Sequence, residues 1–341
     1  MTVPDSVPDS VPSPAAPPVD PPPDDPGGQP VTLPVALTEA GPADWEVYAE
    51  LFLPAGDVPA AVQLLVPGFT YDHRYWTVPG TYNYAAAMVA AGYAVLALDR
   101  VGTGRSARPP AAEVTADSNA HVLHQVVQAL RSGALGGPAF GTVIGVGHSY
   151  GSGVLLVEDA AHHDLDGLVL TGMLHTTAPL HASARDLFHQ ASEDELLGGR
   201  AQWPADYATH RPGYRSRLLE APGRVEPAIS AYNEAIKGTA TIGEGDTLPQ
   251  TYSPELSRAV SVPTLVVVGE LDQLFSAGDG AGQADVAAVL ARERACYSAA
   301  ARLEIEVLPD TGHALTIHPS APRFFALVAD WAGRMVPGAG K

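Results

Sequence analysis

Apolar runs without polar alternation recur along this chain from Val31 onward, and stretches of helical period separate them. The runs predict strands over residues 45–53, 60–66, 94–99, 142–146, 168–171, 263–268 and 303–308. Strands that are apolar on both faces belong in a parallel sheet covered from both sides. The intervening stretches predict helices over 83–91, 118–131, 152–161, 285–301 and 321–335. Regular alternation of this kind implies an α/β fold with right-handed crossovers and helices on both faces of the sheet.

One connection breaks the rhythm. Between Thr171 and Val262 the chain runs far beyond the two to six residues usual for a strand-to-helix loop. Helix-like pieces at 182–197 and 227–236 are separated by Gly198-Gly199, Pro204, Pro212-Gly213 and Pro222-Gly223. The expected organisation is a core of 31–172 and 259–341, with a helical cap or lid of 173–258 inserted after the sixth strand and folded over the sheet's carboxyl edge. Residues 1–30 differ in kind: eleven prolines, five aspartates, no basic residue, and a degenerate Val-Pro-Asp-Ser repeat. Such a segment buries too little apolar area to offset its ordering entropy, so it reads as a disordered, solubilising tail.

Composition narrows the function. Of the 341 residues 46% are hydrophobic, ample for a packed core. A formal charge of −19 repels phosphates, which excludes nucleic acid and anionic membrane surfaces as partners. No run of 18 apolar residues and no signal-peptide pattern occurs, so the expected location is cytoplasmic. The single cysteine, Cys296, excludes an internal disulfide and a cysteine-based metal site, and is expected to be buried in its helix.

The chemistry centres on Gly147-His148-Ser149-Tyr150-Gly151, set directly between a β-branched run and a small-residue helical run. A serine in a G-x-S-x-G turn between strand and helix is a nucleophile elbow, held in a strained conformation that lifts its hydroxyl clear of the sheet. A serine hydroxyl needs a base, and an imidazole needs a carboxylate to fix its tautomer and stabilise its cation. The expected chain order is Ser, acid, His. The loop after 263–268 carries Gly269-Glu270-Leu271-Asp272, and the loop after 303–308 carries Asp310-Thr311-Gly312-His313. All three groups leave one edge of the sheet, where open α/β sheets bind ligands. The candidate triad is Ser149, Asp272 and His313; Glu270 is the alternative acid and His318 the alternative base. His148 is expected to point away from the nucleophile into helix packing. His121 with His124, and His162 with His163, lack nearby carboxylates at ligand spacing in the sequence, so no metal and no cofactor is expected.

With these motifs the chain resembles the α/β-hydrolase fold family from Val31 to the C-terminus outside the insertion. The resemblance implies a mostly parallel central sheet and an oxyanion hole made of the backbone N–H groups of Phe69, in Pro67-Gly68-Phe69, and of Tyr150. Pro67 stands where the family usually has histidine. Asp99-Arg100-Val101-Gly102-Thr103-Gly104-Arg105-Ser106 resembles the family's structural turn after the fourth strand. The family pattern also favours Asp272 over Glu270, three residues after Gly269. Relatives that open epoxides or remove halides carry aspartate at the elbow, so Ser149 implies acyl transfer.

The expected activity is hydrolysis of a small-molecule carboxylic ester, thioester or lactone through an acyl-enzyme. Acyl transfer or cyclisation, carbon–carbon bond hydrolysis, or a non-catalytic ligand-binding homologue are the alternatives. Tyr71, Tyr75, Trp76, His175, Trp203 and Tyr232 are candidate substrate contacts, with aromatic packing under the cap as the competing role.

Overall fold

The computed structural model describes residues 27–56, 59, 61–177, 184–198, 203–275 and 286–339. Its strands are β1 (Gln29–Val35), β2 (Trp45–Phe52), β3 (Ala61–Val66), β4 (Ala94–Leu98), β5 (Thr142–His148), β6 (Gly167–Thr171), β7 (Phe188–Gln190), β8 (Tyr207–His210), β9 (Ala240–Thr241), β10 (Thr264–Gly269) and β11 (Glu304–Leu308). Its α-helices are α1 (Tyr84–Ala90), α2 (Ala116–Ser132), α3 (Tyr150–His162), α4 (Tyr214–Leu219), α5 (Pro227–Ala235), α6 (Ile242–Thr247), α7 (Pro254–Ala259), α8 (Val286–Cys296) and α9 (Ala321–Met335).

Eight strands form one sheet in the order β1-β2-β4-β3-β5-β6-β10-β11. From β4 to β11 every pairing is parallel, while β2 runs antiparallel to both β1 and β4. Every residue of β3, β4, β5, β6 and β10 is buried, as their unbroken apolar runs require when helices cover both faces. The parallel register sends β5, β10 and β11 out at the same edge, and so fixes where their following loops meet.

Three expectations need correction. The tail boundary at residue 30 falls inside β1, an edge strand whose Pro30 and Pro34 masked it in the sequence; prolines lack the ladder N–H and are tolerated only at such an edge. Residues 1–26 lie outside the described residues. The insertion is not purely helical: β7, β8 and β9 make a separate three-stranded antiparallel sheet beside short helices. Within the expected helix at 182–197, the described residues form two 3-10 turns flanking β7. There the Asp194 side chain accepts the N–H groups of Leu196 and Leu197 at 2.9 and 3.2 Å, a local turn that competes with helix. Cys296 is only half-buried at the end of α8. No helix among the described residues is long and apolar enough to cross a membrane.

Candidate active site

At the end of β5 the backbone of Ser149 has φ +52° and ψ −121°, a sparsely populated region for a residue with a side chain. Strand and helix meet so closely that a Cβ on Gly147 would lie 2.5 Å from Ser152 Cα, and one on Gly151 would lie 2.2 Å from the Val66 carbonyl oxygen. Glycine is therefore required at both positions. The Ser149 N–H donates to the Thr171 carbonyl at 2.7 Å, which pins the turn to β6.

The loops after β10 and β11 bring Asp272 and His313 together. His313 Nδ1 lies 2.8 Å from Asp272 Oδ2, with both residues almost fully buried. Asp272 Oδ1 accepts the N–H groups of Leu274 and Phe275 at 2.8 and 3.0 Å. Burial opposes the Asp272 charge, but the imidazole and these donors outweigh it and hold the carboxyl below its usual range. A carboxylate only accepts, so Nδ1 carries the proton and the ring's other nitrogen is the basic one.

Ser149 and His313 line the same cavity of about 500 Å³. Its walls are mostly apolar: Phe69, Leu274 and Phe275 from the core side, and Met173, Phe188, Leu218, Leu219, Ile242 and Leu248 from the insertion. The insertion therefore roofs the cavity. Phe69 stacks on Tyr150 with ring centroids 4.3 Å apart, and a Cβ on Gly68 would lie 3.0 Å from Ser149 Cβ. This packs the loop of Pro67, Gly68 and Phe69 against the elbow. Tyr150 opens α3, where an N–H has no acceptor within the helix, and no acceptor among the described residues takes the Phe69 N–H.

Arg100, which sequence reasoning left inside a structural turn, holds that loop. Its fully buried guanidinium donates to the carbonyls of Pro67 at 2.9 Å and Gly68 at 3.1 Å, pairs with Glu244 of α6, and lies 4.9 Å from the centre of the Tyr150 ring. Glu244 also accepts the Thr241 N–H at 2.9 Å. The sequence signal was an arginine directly after a buried strand, where a charge demands a partner.

The two alternatives to the candidate pair sit elsewhere. Glu270 is exposed and accepts the Asp310 N–H at 3.1 Å. Both ring nitrogens of the buried His318 are engaged: Nδ1 donates to the Ala314 carbonyl at 2.7 Å, and Nε2 accepts from Ala221 and Gly312 at 2.9 and 3.0 Å. Burial pushes the His318 pKa down to about 4, against the pull of the Ala314 bond. His318 thus fixes the loop that carries His313. Its replacement by alanine strands two buried N–H groups, each worth about 1–3 kcal/mol, so a fall in stability on the order of 3 kcal/mol is expected in urea unfolding. The pH dependence of any activity should be unchanged.

Of the candidate substrate contacts, Tyr71 lines the cavity, with its hydroxyl donating to Asn233 at 2.7 Å. Tyr75 and Trp76 do not: both are fully buried, and Tyr75 stacks behind His148 at 4.4 Å. His175 is turned to Glu293 and Ser257 at 2.8 and 2.9 Å. Trp203 lies under Arg108 in a second cavity, and the Tyr232 hydroxyl donates to the Arg74 carbonyl at 3.3 Å. Aromatic packing claimed these side chains because their apolar area gains more from burial than from a cavity wall. His148 also departs from expectation. Its ring forms part of the cavity wall, 4.9 Å from the His313 ring, and burial, then the charges of His313 and Arg215, push its pKa well below the ordinary value. His124 of α2 does have carboxylate neighbours, Glu158 and Asp164, which the distance along the chain concealed.

The sequence profile of the Alpha/beta hydrolase family matches residues 63–326. No curated protein matches the sequence. Among solved structures, a thermophilic esterase from Thermogutta terrifontis is similar at 19% identity and a TM-score of 0.60, over 90% of this chain and 98% of its own. An alpha/beta hydrolase from Penicillium sp. is similar at 14% identity and a TM-score of 0.60, over 90% and 99%. A monoacylglycerol lipase from Paleococcus ferrophilus is similar at 13% identity and a TM-score of 0.57, over 84% and 97%. At these identities the likeness is one of fold.

Proposed function

The chain belongs to the alpha/beta hydrolase family, and from that premise we propose that it is a serine hydrolase that cleaves a carboxylic ester, thioester or lactone through an acyl-enzyme on Ser149. The observation that carries this reading is the buried 2.8 Å bond from His313 to Asp272, placed on the cavity that Ser149 also lines.

In this mechanism the Ser149 oxygen attacks the substrate carbonyl while His313 Nε2 takes the hydroxyl proton. The charge on the tetrahedral oxygen falls to the N–H groups of Phe69 and Tyr150, each such donor contributing about 2.7–4 kcal/mol in the transition state. Collapse breaks the bond to the leaving group, which receives the proton from His313. Water then repeats the sequence in reverse and releases the acid. Asp272 stays ionised throughout and stabilises the imidazolium. The apolar walls suit an uncharged acyl group, and the cavity of about 500 Å³ admits one of medium size.

A fluorophosphonate probe and a graded panel of p-nitrophenyl esters, thioesters and lactones test the reading. Stoichiometric labelling of the intact protein, blocked by prior acylation, is expected, together with an optimum at intermediate chain length. A protein that neither labels nor turns over any member of the panel is a ligand-binding homologue instead.

A further inference from the structure

Toward the C-terminal end of α3, whose N-terminus is at Ser149, α2, α3 and the loop after α3 gather a second set of chemically capable side chains. His124 of α2, Glu158 of α3 and Asp164 each offer one ligating atom, and these atoms lie within 4.8 Å of one another. His124 Nδ1 sits 2.7 Å from Asp164 Oδ2. The His162 ring stacks on His124 with centroids 3.9 Å apart, and the His121 ring lies 6.5 and 6.3 Å from these two.

Glu158 is the informative member. It is fully buried, yet neither of its carboxyl oxygens has a hydrogen-bond partner among the described residues, and Asp164 Oδ1 has none either. The nearby Arg131 does not answer this need; it is committed to the Asp164 carbonyl at 2.6 Å and the Asp166 carboxylate at 2.7 Å. Asp164 Oδ2 is met by His124 Nδ1 and accepts from Gln128 Nε2, each at 2.7 Å, so it is the buried Glu158 carboxyl beside it that requires either a proton shared with Asp164 or a cation. A shared proton satisfies the two carboxyl groups alone, whereas a cation draws on His124 as well, and a mixed set of imidazole nitrogen and carboxylate oxygen selects transition metals over calcium or magnesium.

We propose that His124, Glu158 and Asp164 form a binding site for a divalent transition metal of the zinc class, with His162 as the nearest further nitrogen donor. The site is structural. Glu158 is nine residues beyond Ser149 on one helix, about 13 Å at 1.5 Å per residue, so a bound ion staples α2 to α3 without reaching the reacting atoms. A second grouping, Asp72, His73 and Asp99, makes a useful contrast. There Asp72 is spent on Arg74, and Asp99 accepts the His73 ring and N–H and the Arg105 N–H. Neither of its carboxylates is left without a donor.

The test is calorimetric titration of zinc chloride into the full chain after chelator treatment, with thermal melting in parallel. One saturating equivalent per chain and a rise in melting temperature are expected, both retained in Ser149→Ala and in His163→Ala, which removes a neighbouring exposed histidine. Glu158→Gln keeps the shape of the protonated acid but cannot ligate as a carboxylate; it should weaken binding at least about tenfold and melt no lower than the metal-free parent. His124→Asn should weaken binding similarly and serves if the first variant misfolds. Absence of saturable binding, an affinity unchanged by both substitutions, or displacement of zinc by equimolar calcium overturns the proposal and leaves the shared proton as the explanation.

Discussion

Replacing Ser149 with alanine is expected to reduce turnover of an activated ester by about 10⁴–10⁶-fold while the protein keeps its melting temperature. The small side chain fits the same elbow, whose geometry is set by Gly147 and Gly151. His313→Ala should cost a similar factor, and the double variant should be no worse than either alone, because nucleophile and base act as a unit. Asp272→Asn should lose about 10⁴-fold, since the amide can present the wrong partner to Nδ1 and reverse the imidazole tautomer. It also removes a pH-dependent contribution. The Asp272 pKa is depressed in the folded state, so its stabilisation is in place above the ordinary aspartate range near pH 4 and is lost as pH falls through the depressed value. Acid unfolding should therefore be flatter in the variant. Single-turnover kinetics and urea unfolding as a function of pH measure both effects; a Ser149→Ala protein that retains a tenth of the activity would place the nucleophile elsewhere.

The second large effect is on Arg100. Arg100→Met leaves Glu244 as a buried carboxylate without its cation, and a loss of about 3–5 kcal/mol is expected. It also frees the Pro67 and Gly68 carbonyls and lets the Phe69 amide, the proposed oxyanion donor, shift from its place. Loss of one oxyanion donor typically costs about 10²–10³-fold in kcat. Adding Glu244→Gln should recover most of the stability, because no unpaired charge then remains, but not the turnover. A fall in kcat with KM nearly constant, persisting in the double variant, marks Arg100 as a positioning residue. Recovery of both together would show that it matters only for folding.

Most of the sheet was legible because its strands are long apolar runs between helices of clear period. Residues 321–335 illustrate this: the apolar stripe of Phe324, Phe325, Val328 and Trp331 gave the helix its bounds without tertiary information. β1 was hidden by its two prolines, since edge position is a property of the assembled sheet. β7 was hidden because its pairing with β8 overrides local preference. Ser149, Asp272 and His313 stood out because each follows a strand end in motif context. Arg100, His318 and Glu158 did not, since each draws its meaning from partners 144, 97 and six residues away. The cavity aromatics failed for a similar reason: periodicity reports burial, not which void a buried ring faces.

The double duty of Arg100 bears on any attempt to change what this protein accepts. Its one guanidinium grips both the loop packed beside Ser149 and a segment of the roof. A transplanted roof carrying a new acyl preference must therefore bring a carboxylate to the place of Glu244. Chimeras that omit it should fold into the intended shape of pocket yet inherit a slackened loop at Pro67 and Gly68; if that loop stabilises the anion as proposed, selectivity and speed in this scaffold are engineered together or not at all.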